Sequence, residues 1–248
     1  GEVVSNGNTP AVVRASALIG LAAYLSPASV SLAQKGLSDS DPMVRMAALE
    51  MLRSVPANQL WPLVSPLLSD PIEGVRIRVV SLLASVPTAS QPASDRERFE
   101  NAAAEFIAAQ RLNAERPEAR VTLANFKAQR GQLNEAEAEY KAARRLNPQF
   151  APATINLADL YRTLGREDEG SALLREAVMA APQDAGLHHA LGLALVRQKK
   201  TDEALAELRR AAELAPDQSQ YAYVYAVGLH SAGRADDAIA ALKVNLSK

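Results

Sequence analysis

From residue 117 onward the chain repeats one pattern four times. Residues 117–150, 151–184, 185–218 and 219–248 align at a period of 34. Small residues fall in three columns: Ala124, Ala158, Gly192 and Ala226, then Ala136, Gly170, Ala204 and Ala238, then Ala143, Ala177 and Ala211. Large apolar residues fill two more: Leu123, Leu157, Leu191 and Tyr225, then Tyr140, Leu174, Leu208 and Leu242. A unit this short cannot bury its apolar face alone, so the units must stack. The columns predict two helices per unit, with small residues where axes approach and large ones in the gaps. Gly131, Gly165 and Gly233 mark the turn between the helices, where a left-handed backbone costs glycine least. Lys199 takes that place in the third unit and should be slightly strained there. Asn134, Asp168, Asp202 and Asp236 follow three residues later and are expected to cap the second helix. Pro148, Pro182 and Pro216 end it.

This pattern resembles the tetratricopeptide repeat family. Two departures stand out. The aromatic usual near the start of the first helix is replaced by Arg120, Thr154, His188 and Ala222, and Asn245 stands where a third small residue belongs. Residues 94–116 read as one more second helix, with Ala102, Phe106, Ala109 and Leu112 one period upstream and Ser94 and Glu97 as a capping box. The tetratricopeptide domain is therefore read as 94–248, with a half repeat at 94–116.

The first 86 residues repeat differently. Val13-Arg14, Val44-Arg45 and Val75-Arg76 recur every 31 residues, followed by Ala17, Ala48 and Val79, by Leu18, Leu49 and Val80, and by Leu21, Leu52 and Leu83. Asp41-Pro42 and Asp70-Pro71 stand just ahead of two of these segments. There the carboxylate can cap a helix and proline can take its first position. The three units resemble short bacterial HEAT-like repeats. Residues 87–93, rich in Pro, Ser and Ala, read as a linker. The expected fold is all-α, a helical-repeat solenoid with HEAT-like repeats followed by tetratricopeptide repeats.

Composition narrows the function classes. Lys and Arg number 27 against 28 Asp and Glu, and neither part of the chain departs from balance, so no nucleic-acid arm or anionic-membrane patch is expected. With no cysteine there is no disulfide, thiolate metal site or haem attachment motif in this chain. The longest apolar run, Ala17 to Leu25, is half the length of a membrane span. Phosphate loops, hydrolase serine motifs and metal-binding histidine spacings do not occur. His188 and His189 are adjacent, which points them about 100° apart on a helix; His188 is expected to pack and His189 to face a groove. Acidic runs such as Glu167-Asp168-Glu169 sit at helix starts, where the dipole favours them. Arg14, Arg45 and Arg76 are expected to bridge neighbouring units rather than touch a ligand.

The resemblance implies where a partner would lie. Tetratricopeptide first helices line an inner groove that holds extended peptides or helices. Carried onto this chain, the groove positions are Asn125 and Gln129; Asn156, Asp159 and Arg162; His189, Leu193 and Arg197; and Tyr223, Val227 and His230. The C-terminal part of this lining is the more apolar, with Val196 beside Leu193, Tyr223 and Val227, so a hydrophobic anchor is expected there. The expectation is a non-catalytic scaffold for a protein or peptide, with no cofactor or metal, no nucleic acid and no membrane insertion. A C-terminal helix ending at Lys248 without a polar cap would favour self-association. The order of repeats is also similar to the C-terminal part of certain bacterial multihaem c-type cytochromes, in segments such as Asn156–Arg162 and Leu187–Gly192. That resemblance implies a periplasmic parent whose repeats dock partners near an electron-transfer module. Without it the expected compartment is the cytoplasm.

Overall fold

The computed structural model describes residues 2–24 and 26–246, with side chains described to residue 243. Ser247 and Lys248, on which the expected uncapped end falls, lie outside the described residues. Among the described residues every regular element is helical, and the chain forms two compact units, residues 1–113 and 114–248.

The first unit contains α1 (Glu2–Ser5), α2 (Ala11–Leu21), α3 (Pro27–Leu37), α4 (Pro42–Met51), α5 (Ala57–Val64), α6 (Glu73–Leu83) and α7 (Ala93–Leu112). The 31-residue columns form its core, with Leu18, Leu49, Leu52, Val79, Val80 and Leu83 inaccessible to solvent. The Asp41 carboxylate caps α4 by accepting the Met43 N–H at 2.8 Å. Asp70 does not cap α6, whose N-cap is Ile72. Its carboxylate accepts the Ile72 N–H at 2.9 Å and is otherwise engaged by Arg45. A capping box does occur, but at the start of α3, between Ser26 as N-cap and Ser29 in the first turn. The one expected from Ser94 and Glu97 does not form, because α7 begins at Ala93 behind Pro92.

The recurrent arginines form a ladder. Arg14 Nη2 donates to Asp39 Oδ1 at 2.7 Å, and Arg45 Nη2 donates to Asp70 Oδ1 at 2.9 Å. Arg76 Nη2 donates to Glu105 Oε1 at 2.9 Å. Each rung is tied to the next through main chain: Arg45 Nη1 donates to the Asp39 carbonyl at 2.8 Å and Arg76 Nη1 to the Asp70 carbonyl at 2.6 Å. The arginines therefore bridge units, as their spacing predicts, and the Arg14 guanidinium holds the Asp39 carboxyl below the usual carboxylate range. The third acceptor, Glu105, comes from α7.

Two further contacts place α7 in the first unit. Phe99, fully buried, lies with its ring centroid 5.8 Å from that of Trp61, and Trp61 Nε1 donates to Asp95 Oδ2 at 3.2 Å. The boundary between compact units thus falls after Asn113, whereas the column alignment assigned 94–116 to the following repeats. The α7 stripe of Phe99, Ala102, Ala103 and Phe106 is a helical apolar face. Its periodicity states that it is buried, not against which neighbour.

The second unit pairs α8 (Pro117–Gln129) with α9 (Leu133–Leu146), α10 (Ala151–Thr163) with α11 (Glu167–Ala180), α12 (Ala185–Arg197) with α13 (Thr201–Leu214), and α14 (Ser219–Ser231) with α15 (Ala235–Leu246). A Cβ on Gly192 would lie 2.7 Å from Leu208 Cγ, so this member of an otherwise alanine column has no room for even a methyl group. The turn glycines Gly131, Gly165 and Gly233 have φ of 74°, 73° and 77°, and Lys199 is held at 59°. Lys199→Gly is expected to stabilise the protein by about 0.5–1 kcal/mol by removing this strain; an unchanged or lowered urea midpoint would show that the lysine is not strained. The caps differ from expectation. α9, α11 and α13 start at Leu133, Glu167 and Thr201, so Asn134, Asp168 and Asp202 are second in their helices, with no side-chain cap at any of the three starts. Asp236 likewise follows Ala235, the first residue of α15. The aspartates there still complement the helix dipole.

The missing aromatic column has two kinds of substitute. Arg120 Nε donates to the Ala114 carbonyl at 2.9 Å and Nη1 to Glu139 Oε2 at 2.7 Å. Two repeats later, His188 Nδ1 lies 2.5 Å from Glu207 Oε2 and Nε2 3.1 Å from the Pro182 carbonyl. The same three places are used, so a polar bridge replaces ring packing in the first and third repeats. The second and fourth have Thr154 with Leu173 and Ala222 with Ala241. His188 packs, as expected, and both its ring nitrogens are engaged in this bridge.

Candidate functional site on the first helices of the second unit

The expected groove residues lie on α8, α10, α12 and α14. Five of them, Asn156, Asp159, His189, Leu193 and Arg197, line one cavity of about 420 Å³ between α10, α12 and α14. Ile155, Ala158, Leu174, Gly186, Ala190, Gln220 and Tyr221 complete its walls. A neighbouring cavity of about 220 Å³ is lined by Leu193 and Val227 together with Val196, Leu205, Leu208 and Val224. Asn125 is half-buried behind the first cavity, while Gln129 and His230 are exposed and line neither. Tyr223, which lines neither cavity, is 61% exposed on α14, as is Val227, one turn further on, at 46%; Val196 on α12 is 47% exposed.

The polar groups are pinned by their neighbours. Asn125 Oδ1 accepts the Tyr140 hydroxyl at 2.5 Å and Asn156 Nδ2 at 3.0 Å. Because an amide oxygen can accept two hydrogen bonds, this fixes which end of Asn156 points inward: its nitrogen. Burial, with a smaller contribution from the Asp159 charge, pushes the Tyr140 phenol up to about 12. The two arginines are satisfied within the protein. Arg162 Nε donates to Asp159 Oδ1 at 2.7 Å, and Arg197 Nε donates to Glu167 Oε1 at 2.9 Å. His189 stacks on Tyr221, with ring centroids 4.8 Å apart and planes tilted by 40°. Its Nδ1 is buried without a hydrogen-bond partner among the described residues. Burial lowers the His189 pKa, since a charged imidazole would lose solvation there.

Sequence reasoning missed Ile155, Gln220 and Tyr221. Tyr221 is third in its unit and His189 fifth in the one before. They meet because successive first helices are offset as they stack, a displacement that column alignment does not carry.

Residues 128–195 and 165–228 match the sequence profile of the tetratricopeptide repeat family, and residues 5–84 that of HEAT repeats. No curated protein matches the sequence. Similar solved structures include a crystal structure of MamA, 17% identical with a TM-score of 0.48, covering 63% of this chain and 94% of that one. A MamA structure from Desulfovibrio magneticus RS-1 is 16% identical with a TM-score of 0.45, covering 77% and 93%. YrrB, described as a TPR protein with an unusual peptide-binding site, is 18% identical with a TM-score of 0.44, covering 77% and 93%. The chain is a helical-repeat protein that carries HEAT repeats over residues 5–84 and tetratricopeptide repeats over residues 128–228.

Proposed function

We propose that the chain is a non-catalytic interaction scaffold whose second unit holds a protein or peptide segment across α8, α10, α12 and α14. The observation that carries this reading is the set of exposed apolar side chains on α12 and α14, Val196, Tyr223 and Val227, of which Val196 and Val227 line the second of two open cavities that share Leu193. Apolar side chains exposed in this way lose unfavourable water contact when a partner covers them. The family resemblance supports the same face, and the balanced charge favours a protein partner over nucleic acid.

The test uses random peptides displayed on phage and selected against the whole chain. Binders are then measured on the triple variant Asn156→Ala, Arg162→Ala, Tyr223→Ala. At least a tenfold loss of affinity, about 1.4 kcal/mol, is expected with an unchanged melting temperature. Equal binding to the variant would place the interaction elsewhere.

A further inference from the structure

The cavity between α10, α12 and α14 can be assigned a ligand chemistry, on the reading that this face binds a partner. Its charges cancel. Its charged lining residues are Asp159 and Arg197, of opposite sign, and each is paired at its rim, Asp159 with Arg162 and Arg197 with Glu167, so the lining carries no net charge. An acidic segment that recruited either arginine would leave a carboxylate beside itself.

The neutral polar side chains of the lining include Asn156, His189 and Gln220, and the first two are held by their neighbours. The amide nitrogen of Asn156 is turned inward to Asn125, which leaves its Oδ1 to accept a hydrogen bond, and that oxygen has no donor among the described residues. His189 lines the cavity, and its Nδ1 is buried with no hydrogen-bond partner among the described residues, which favours the neutral ring's proton on Nε2. One acceptor and one donor match the N–H and C=O of a peptide group. Tyr221, Ile155, Ala190 and Leu193 line the same cavity and give it an apolar wall around a volume that accommodates one large side chain.

We infer that this cavity is the anchor site for an uncharged, extended peptide segment, whose main chain is held by Asn156 Oδ1 and His189 Nε2–H and whose aromatic or leucine side chain enters against Tyr221 and Leu193. The occupant is a neutral stretch of a partner protein, and acidic tails are disfavoured.

Composition and salt dependence of the selected peptides test this. Groove-dependent clones, defined as those weakened by the triple variant above, should be enriched in Phe, Tyr, Trp or Leu and depleted of Asp and Glu. As synthetic capped peptides their Kd should change by less than about twofold between roughly 0.05 and 0.5 M NaCl, because no counter-charges are screened. Leu193→Asp should weaken them at least about tenfold. Ala190→Glu, on the same wall, serves if Leu193→Asp lowers the melting temperature. Groove-dependent peptides that are acidic, that weaken about tenfold with salt, or that tolerate both wall charges would overturn the anchor assignment and leave the binding face standing. Absence of any groove-dependent clone would overturn both.

Discussion

Asp70→Ala should destabilise the first unit by about 3–5 kcal/mol, the cost of leaving one member of a buried ion pair without its counter-charge. Arg45 and Asp70 side chains are only 9% and 3% exposed, with Nε 2.7 Å from Oδ2. The same carboxylate holds the Ile72 N–H, and Arg45 also reaches the Asp39 and Ser40 carbonyls. Losing Asp70 strands a guanidinium and loosens the approach to α6. Trp61, the single tryptophan, lies within this unit and reports its unfolding in urea by fluorescence. Arg53→Ala is the control: its pair with Glu50 is exposed, and its loss should cost less than about 1 kcal/mol. Arg45→Met with Asp70→Leu should recover most of the deficit, since a well-packed apolar pair needs no desolvated charge. A cost below about 1 kcal/mol for Asp70→Ala would show that the ladder adds little to stability.

Phe99→Ala should cost a similar amount, about 3–5 kcal/mol, through lost burial and the cavity left against Trp61. Phe99 is fully buried, yet it comes from a helix that the 34-residue alignment attaches to the other repeats. A large loss in the transition followed by Trp61 fluorescence would show that α7 completes the first unit. Leu112→Ala, at an 83% exposed position of the same helix, should stay within about 0.5 kcal/mol. If Phe99→Ala were as mild as Leu112→Ala, α7 would not be docked as described.

Much of this architecture is legible without coordinates because repeats expose their own logic. Each small or large column is a packing requirement met several times, so chance agreement in one unit is averaged out. Lys199 at positive φ was readable for the same reason: three glycines elsewhere in the column state what the backbone needs. The bridging role of Arg14, Arg45 and Arg76 followed from their recurrence, although Glu105 as the last acceptor did not, since it breaks the 31-residue spacing. Cap assignments failed where they rested on residue type alone. Asp and Asn serve a cap and a first helical turn almost equally well, and the difference between those places is one or two residues.

The candidate site divides the same way. Asn156, Asp159, His189, Leu193 and Arg197 meet in one cavity, and the family resemblance selected them by their place in the repeat. Tyr221 and the inward turn of Asn156 depend on how far one first helix slides past the next. By itself the sequence determined two repeat types, their helices, their turns and the columns that must be buried. These are local or periodic properties, and period and residue size are written in the chain. Tertiary structure alone decided that α7 packs with the first unit, that Arg120 and His188 bridge to Glu139 and Glu207, and that Arg162 and Arg197 on the first helices are neutralised by neighbouring carboxylates. Those outcomes depend on distances between helices, which no periodicity encodes.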